Sequence, residues 1–565
     1  MNRRPATGAQ FMDSGLQGMI ARMFMRGAGF SAEQVRKAPV IGICSSWSEL
    51  TPCNLGLRGL AEAVKRGVVA AGGLPFEFPT ISLAEPYIRP STFYLRNLMA
   101  MDVEEMIVAS PIDAVVLLNG CDKTVPAQLM AAVSAEKPAI SLAAGPRDVG
   151  TWRGEDVTID ELWSADDERR AGQLQEGEWE QLEGVINPSV GTCNVMGTAT
   201  TMAIVAEVLG FSLPGTALLP ATSATRATAA ERTGSRAVGL ATGRLTPSGL
   251  VTEESLENAF RVVCAVGGST NAVIHLEAIA GRAGIRIGLQ RFRDWSETTP
   301  LLTRLKPSGP HLLSQFEGVG GVPALIRELE PVLHLDALTA TGNAWRDEMP
   351  AQSVADGDTL RRFDDPYESG GSLAFLTGSL APAGAVFKRS AADPRLCRHR
   401  GRAVVFDSAD DLLRIDDPEL EIDADSVLVL RNAGPLGAGM PETGVPIPRS
   451  LLRSSVRDML RISDGRISGT AGGAVVLHVS PEAAAGGPLA LVENGDMIEL
   501  DADAGRLDLL VDIEELHRRA QHLTEMARPL RGYERLYFDH ITQAHEGCDF
   551  DFLRSDKLAP VGSAA

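Results

Sequence analysis

The sequence predicts an α/β protein in two parts, a parallel-sheet α/β domain followed by a β-rich domain, and three observations carry that reading. The N-terminal part repeats a short apolar run, a Gly- or Pro-containing turn and a helical pattern, as parallel strands with crossover helices do. Near residue 345 the texture turns polar and Asp-rich, NAWRDEMPAQSVADGDTLRRFDDPYESGG, with no apolar period. Beyond it come short β-like runs separated by Gly, Pro and Asp. The 565 residues suit two or three domains. We place them at 1–365 and 366–565, joined by the polar stretch.

Taken in order, KAPVIGICSSW (37–47) leads through a polar loop into LRGLAEAVKRGVVAAGG (57–73), and IDAVVLLNG (112–120) leads through CDKTVP into AQLMAAVSAE. Ligands in such folds bind outside the carboxyl ends of strands. The loops after VIGI and VVLLNG are therefore the first places to expect chemistry, and both contain cysteine. In the second part RAVVFD (402–407), SVLVLRN (426–432), GGAVVLHVS (472–480) and DMIELDA (496–502) read as strands, with His478 inside one.

The formal net charge is −20, from 53 Lys and Arg against 73 Asp and Glu. Such a surface repels a phosphate backbone and anionic lipid headgroups, so nucleic acid and membranes are not expected partners. A small anionic substrate remains open, because a local cation reverses the field inside a cleft. The N-terminus lacks the apolar core and cleavage site of a leader, and charge or glycine interrupts every long apolar run. A cytoplasmic protein is the expectation.

Seven cysteines, odd in number and scattered, favour metal ligation or inert burial over disulfides. Cys44 and Cys264 lie in apolar runs and read as small buried hydrophobes. Cys397 and Cys548 carry no sign of function. Cys53, Cys121 and Cys193 instead stand in loops, SELTPCN, NGCDKTVP and VGTCNVMGTAT, too far apart in sequence for a local zinc knuckle. If the fold gathers them, three thiolates leave one iron short of a ligand, and an open iron is a Lewis acid. Asp122 and Lys123 follow Cys121, and Glu85 stands in SLAEPYIRPST. A carboxylate beside a cluster ligand could hold Mg²⁺, or Asp122 could simply cap a helix with Lys123 solvated. GPLGAGMPETG (434–444) carries Glu442, and SDGRISGTAGGAVVLHVSPEA (463–483) carries Ser468 and Thr470. Both segments could be turns, or could bring backbone amides to an anion. There is no G-x-S-x-G, no Walker A and no H-E-x-x-H.

Together, TPCN, GCDKT-P, GTC-MGTA-TM, GGSTNAVIHL, GMPE-G and DGR-SG, in this order over nearly the whole chain, resemble the dihydroxy-acid dehydratase and phosphogluconate dehydratase family. The resemblance implies an α/β domain followed by a barrel-like, swivelling β/α domain. It implies a [2Fe–2S] cluster, or alternatively [4Fe–4S], on Cys53, Cys121 and Cys193. It also implies Mg²⁺ on Glu85, Asp122, Glu442 and a carbamylated Lys123, with Ser468 as the base, in a homodimer or homotetramer; Thr470, two residues on, is a further catalytic candidate. SLAEPYIRPSTFYLRNL and the YERLYFDHITQAHEGCDFDF tail look more like the sugar-acid dehydratases than the enzymes of branched-chain amino-acid synthesis. The expected reaction is loss of water from a 2,3-dihydroxy carboxylate to give a 2-keto-3-deoxy acid, the substrate being a small anionic polyhydroxy acid. The alternatives are the same chemistry on 2,3-dihydroxyisovalerate, and a non-catalytic iron–sulfur regulator, which would need the cysteines but not the carboxylates.

Overall fold

In the computed structural model, which describes residues 7–243, 245–523 and 526–555, four apolar runs form one parallel sheet. They are β1 (Val40–Ser45), β2 (Leu74–Pro79), β3 (Ala114–Asn119) and β4 (Ala139–Ala143), in the order β2-β1-β3-β4. β1, β3 and β4 are buried throughout, because helices cover both faces and leave no polar side to the pleat. Ile41, Ile43 and Val116 pack with the Leu57–Ala70 and Ala224–Thr242 helices, while Cys44, Val115 and Leu117 pack with Thr92–Ala109 and Thr124–Ala135. From β1 the chain passes first to β2 on one side and then to β3 on the other. The crevice at the carboxyl ends of β1 and β3 is thus a switch point of the kind where α/β sheets bind ligands.

After β4 a short hairpin, β5 (Gly150–Trp152) with β6 (Glu155–Val157), precedes a buried helical layer. Within it, Thr198–Val208 and Glu253–Ala265 pack beside Asn271–Ala283.

The second unit is an eight-stranded sheet in the order β14-β13-β9-β10-β11-β12-β8-β7. Its strands are β7 (Leu373–Leu376), β8 (Gly384–Lys388), β9 (Arg398–Phe406), β10 (Val427–Leu430), β11 (Arg461–Ser463), β12 (Val475–Ser480), β13 (Met497–Asp501) and β14 (Arg506–Leu509). β9 to β12 run parallel, and the flanking pairs are antiparallel. The two edges meet where Thr377 N donates to Gly505 O at 2.9 Å and Leu507 N to Thr377 O at 3.0 Å, so the sheet is nearly a closed barrel. Leu376, Phe387, Val429, Ile462, Val476 and Leu507 share its core. The fold class is the one the sequence predicts.

The tail then returns to the first unit. Tyr533 Oη donates to Tyr94 O at 2.7 Å, Arg96 donates to the carbonyls of Gly547 and Cys548, and Arg282 pairs with Asp549 at 2.6 Å. Among the described residues no helix is long and apolar enough to cross a membrane.

Candidate active site

The sulfur side of the site is built at the switch point. β1 runs into a loop that turns at Pro52–Asn54, a short 3₁₀ segment opened by proline, which presents Cys53. β3 runs into Gly120, Cys121, Asp122 and Lys123, after which the Thr124–Ala135 helix begins. Asn54 ties the two loops together: its Oδ1 accepts from Cys121 N at 2.8 Å, and its Nδ2 donates to Ser46 O at 2.9 Å. Gly120 has no substitute here, since a Cβ would lie 2.6 Å from that same Oδ1. The Cys121 thiol hydrogen-bonds to Cys53, and this bond, together with Arg147 Nη2 3.9 Å from Cys53 Sγ, lowers the Cys53 pKa against the effect of burial. Cys121, as the donor and fully enclosed, is pushed well up. Burial pushes Cys193 up to about 12, with the charges of Cys53, Asp122 and Glu442 within reach. Thus Cys53 and Cys121 meet, and Cys193 lies near enough to feel the charge of Cys53. Cys44, Cys264 and Cys548 are buried elsewhere in apolar surroundings.

The oxygen side lies against it. Glu85, Asp122 and Glu442 each offer a carboxylate oxygen, and the three oxygens lie within 4.8 Å of one another. Asp122 does not serve as the helix cap, and Lys123 is fully buried rather than solvated, its Nζ 2.5 Å from Asp122 and 3.9 Å from Glu85. Arg466, also buried, completes the cluster at 2.5 Å from Glu85, 2.7 Å from Glu442 and 3.8 Å from Asp122. Burial works against ionisation of Glu85, yet Arg466, Lys123 and a hydrogen bond from Thr92 hold its pKa below the ordinary value. At Glu442 burial and the neighbouring Glu85 outweigh Arg466 and Lys123 and raise the pKa to about 8. Hard oxygen donors packed this closely suit a divalent cation such as Mg²⁺, and adjacent thiols suit iron, so the residues present fit both groups.

The third component comes from the other unit. Arg466 belongs to the loop between β11 and β12, and two residues on, Ser468 Oγ lies 2.9 Å from Thr470 Oγ1, which accepts from Trp163 Nε1 at 2.8 Å. Gly469 makes the approach possible, because a Cβ there would lie 2.7 Å from Thr198 N, at the start of the helix that follows the Cys193 loop. The Ser468 loop therefore seats directly on the cysteine-bearing unit. Arg466, Thr92, Arg147 and Trp163 carry no role in the sequence reading. The Arg of DGR-SG was the one available signal, since a lone cation in a Gly-rich loop suggests an anion nearby.

Comparison with known proteins accords with this geometry. Residues 38–348 match the family model described as dihydroxy-acid/6-phosphogluconate dehydratase N-terminal, and residues 358–548 match its C-terminal counterpart. The chain is 47% identical over 561 residues to a 6-deoxy-6-sulfo-D-gluconate dehydratase of Pseudomonas putida, covering 97% of this chain and 96% of that one. It is likewise 47% identical over 560 residues to an L-arabonate dehydratase of Azospirillum brasilense, with 97% and 96% covered. A dihydroxy-acid dehydratase of Ignicoccus hospitalis is 38% identical over 542 residues, with 93% and 96% covered. With both halves matched and relatives aligned end to end, the chain belongs to the dihydroxy-acid/6-phosphogluconate dehydratase family.

Proposed function

We propose that this protein is a hydro-lyase that removes water from a sugar acid, a 2,3-dihydroxy carboxylate, to give a 2-keto-3-deoxy acid. The observation that carries the reading is the convergence of Glu85, Asp122 and Glu442 beside Cys53, Cys121 and Cys193, with Ser468 delivered from the second unit. In this reading Cys53, Cys121 and Cys193 hold a [2Fe–2S] or [4Fe–4S] cluster, and Glu85, Asp122, Glu442 and a carbamylated Lys123 hold Mg²⁺. The chemistry these groups supply when bound is Lewis-acid stabilisation of the charge that develops on the substrate carboxylate, the C2 oxygen and the departing C3 hydroxyl. Carbamylation would convert the Lys123 ammonium, which repels a cation, into an oxygen donor. Ser468 takes the C2 proton, and Thr470, fixed by Trp163, orients the Ser468 hydroxyl. Arg466 bridges Glu85 of the first unit and Glu442 of its own.

Relatives named for sugar acids are more similar in sequence than those named dihydroxy-acid dehydratase, which favours an aldonate over 2,3-dihydroxyisovalerate. The test is an anaerobic assay of the purified holoprotein on a panel of aldonates, one with a terminal sulfonate, alongside 2,3-dihydroxyisovalerate. Keto-acid formation is the readout. Turnover of the branched-chain substrate alone would replace the sugar-acid reading, and no turnover with an intact cluster would favour a regulator.

A further inference from the structure

A serine hydroxyl that acts as a base must first send its own proton somewhere. The hydrogen-bond partner of the Ser468 side chain is Thr470, another hydroxyl, already engaged by Trp163. Ser468 also borders a cavity of about 20 Å³, room for roughly one water, shared with Ser269, Thr270, Val475 and Lys388. Lys388 ends β8. Ala385 and Phe387 lie in the barrel core, and alternation along the strand puts Val386 and Lys388 on the opposite face; Val386 indeed packs in the core of the first unit. Unlike Lys123 and Arg466, Lys388 has no carboxylate or hydrogen-bond partner for its side chain among the described residues. The chargeable groups on the elements around it are Arg389, His478, His275, Glu277 and Arg282, together with Arg466 on the Ser468 loop and the Arg461–Asp458 pair, 2.7 Å apart, beside Gly473; none of them lines the cavity. Arg389 is paired with Asp503. Burial alone lowers the Lys388 pKa to about 8, so about a tenth of the amine is free at pH 7 and half at pH 8.

Resting on the reading of Ser468 as the base, we propose that Lys388 accepts the Ser468 hydroxyl proton, the two acting as a serine–lysine pair across this cavity. The Oγ–H proton passes to the Nζ lone pair, directly or through one water, leaving an alkoxide and an ammonium. The alkoxide takes the C2 proton, the C2–H electron pair becomes the C2=C3 bond, and the C3–O bond breaks. The ammonium proton neutralises the expelled hydroxide, directly or through solvent, and water leaves. Both side chains then regain their starting forms.

The test compares holoenzyme carrying Lys388→Met, Lys388→Arg, Ser468→Ala or Ser468→Ala with Lys388→Met, each checked for cluster absorbance and melting temperature. Wild-type kcat should rise with pH through a limb near 8. Lys388→Met should lose about 10²-fold in kcat at little change in KM, and lose that limb. Lys388→Arg should fail similarly, because a guanidinium cannot accept a proton. The double variant should be no slower than Ser468→Ala alone. Near-normal kcat in Lys388→Arg, or a raised KM at unchanged kcat in Lys388→Met, overturns the proton role of Lys388. Near-normal turnover in Ser468→Ala instead overturns the assignment of Ser468. If Lys388→Met does not fold, the wild-type limb and Lys388→Arg decide the question.

Discussion

At Ser468 the structure leaves one oxygen, flanked by a glycine and held by Thr470. Ser468→Ala removes that oxygen and little else. It is expected to retain the cluster chromophore and the melting temperature while kcat falls by about 10²–10⁴-fold, measured by anaerobic turnover. His478 supplies a residue-scale test of pH dependence. Burial, aided by the charge of Arg466, lowers its pKa to about 3, and neither ring nitrogen has a partner. An unfolded histidine gains its proton near 6.5, whereas this one stays neutral, so the unfolded chain binds more protons between these values and stability falls as pH falls. Its φ of +60° is one that asparagine tolerates. From about pH 7.5 to about pH 5.5 the wild type should therefore lose about 1 kcal/mol more than His478→Asn, read from denaturant midpoints. The nine residues proposed for chemistry could be picked out as candidates because each sits in a recognisable motif, their ligand and base roles coming from the family resemblance. Arg466, Thr92 and Trp163 were not, because what they do depends on partners that only the folded chain brings near: Glu85 and Arg466 are 381 positions apart.

Among the elements, the segment that carries Glu442 is held from below by two buried carboxylates. Asp464 accepts from the backbone N–H groups of Asn432, Ala433 and Ala483, and Glu482 accepts from those of Leu436 and Gly437 and from Gln543 Nε2. These bonds fix the turn from which Glu442 projects. Groups that orient ligands in this way commonly shift metal affinity by 10–100-fold. If Glu442 holds Mg²⁺ as proposed, Glu482→Ala should weaken Mg²⁺ binding by about that factor while the cysteine side stays intact, as measured by titration of Mg²⁺-dependent activity against cluster absorbance. Gly469→Val tests the opposite contact. Its side chain would meet Thr198 N, so turnover should drop with cluster content unchanged, and recovery of full activity would mean that the loop does not seat there. The sequence revealed β9, β10, β12 and β13 because each lies in a clear apolar run. β7, β8, β11 and β14 span only three to five residues among glycines, prolines and charges, and their pairing is decided by the barrel rather than by local pattern.

At the scale of the whole molecule the two units share one site, and the tail fastens them. Arg282 and Asp549 are both buried, so Asp549→Ala leaves a charge that Glu104, at 3.1 Å, only partly balances. Breaking such a pair costs on the order of 3 kcal/mol, which should appear as a lower melting temperature, with activity lost before global unfolding. The succession of α/β and β-rich parts was readable because hydrophobic periodicity changes at the polar stretch. The return of the tail was not, since RGYERLYFDHITQAHEGCDFDF has no pattern that names its partner. That return has a consequence for how the protein is made. Cys53, Cys121 and Cys193 leave the ribosome well before Gly547, Cys548 and Asp549, which grip Arg96 and Arg282. A nascent chain stalled between Thr470 and Gly547 would carry all the proposed site residues, yet lack the clasp on the helices that carry Arg96 and Arg282. The packing behind the site should therefore become complete only once this late segment has emerged and folded back.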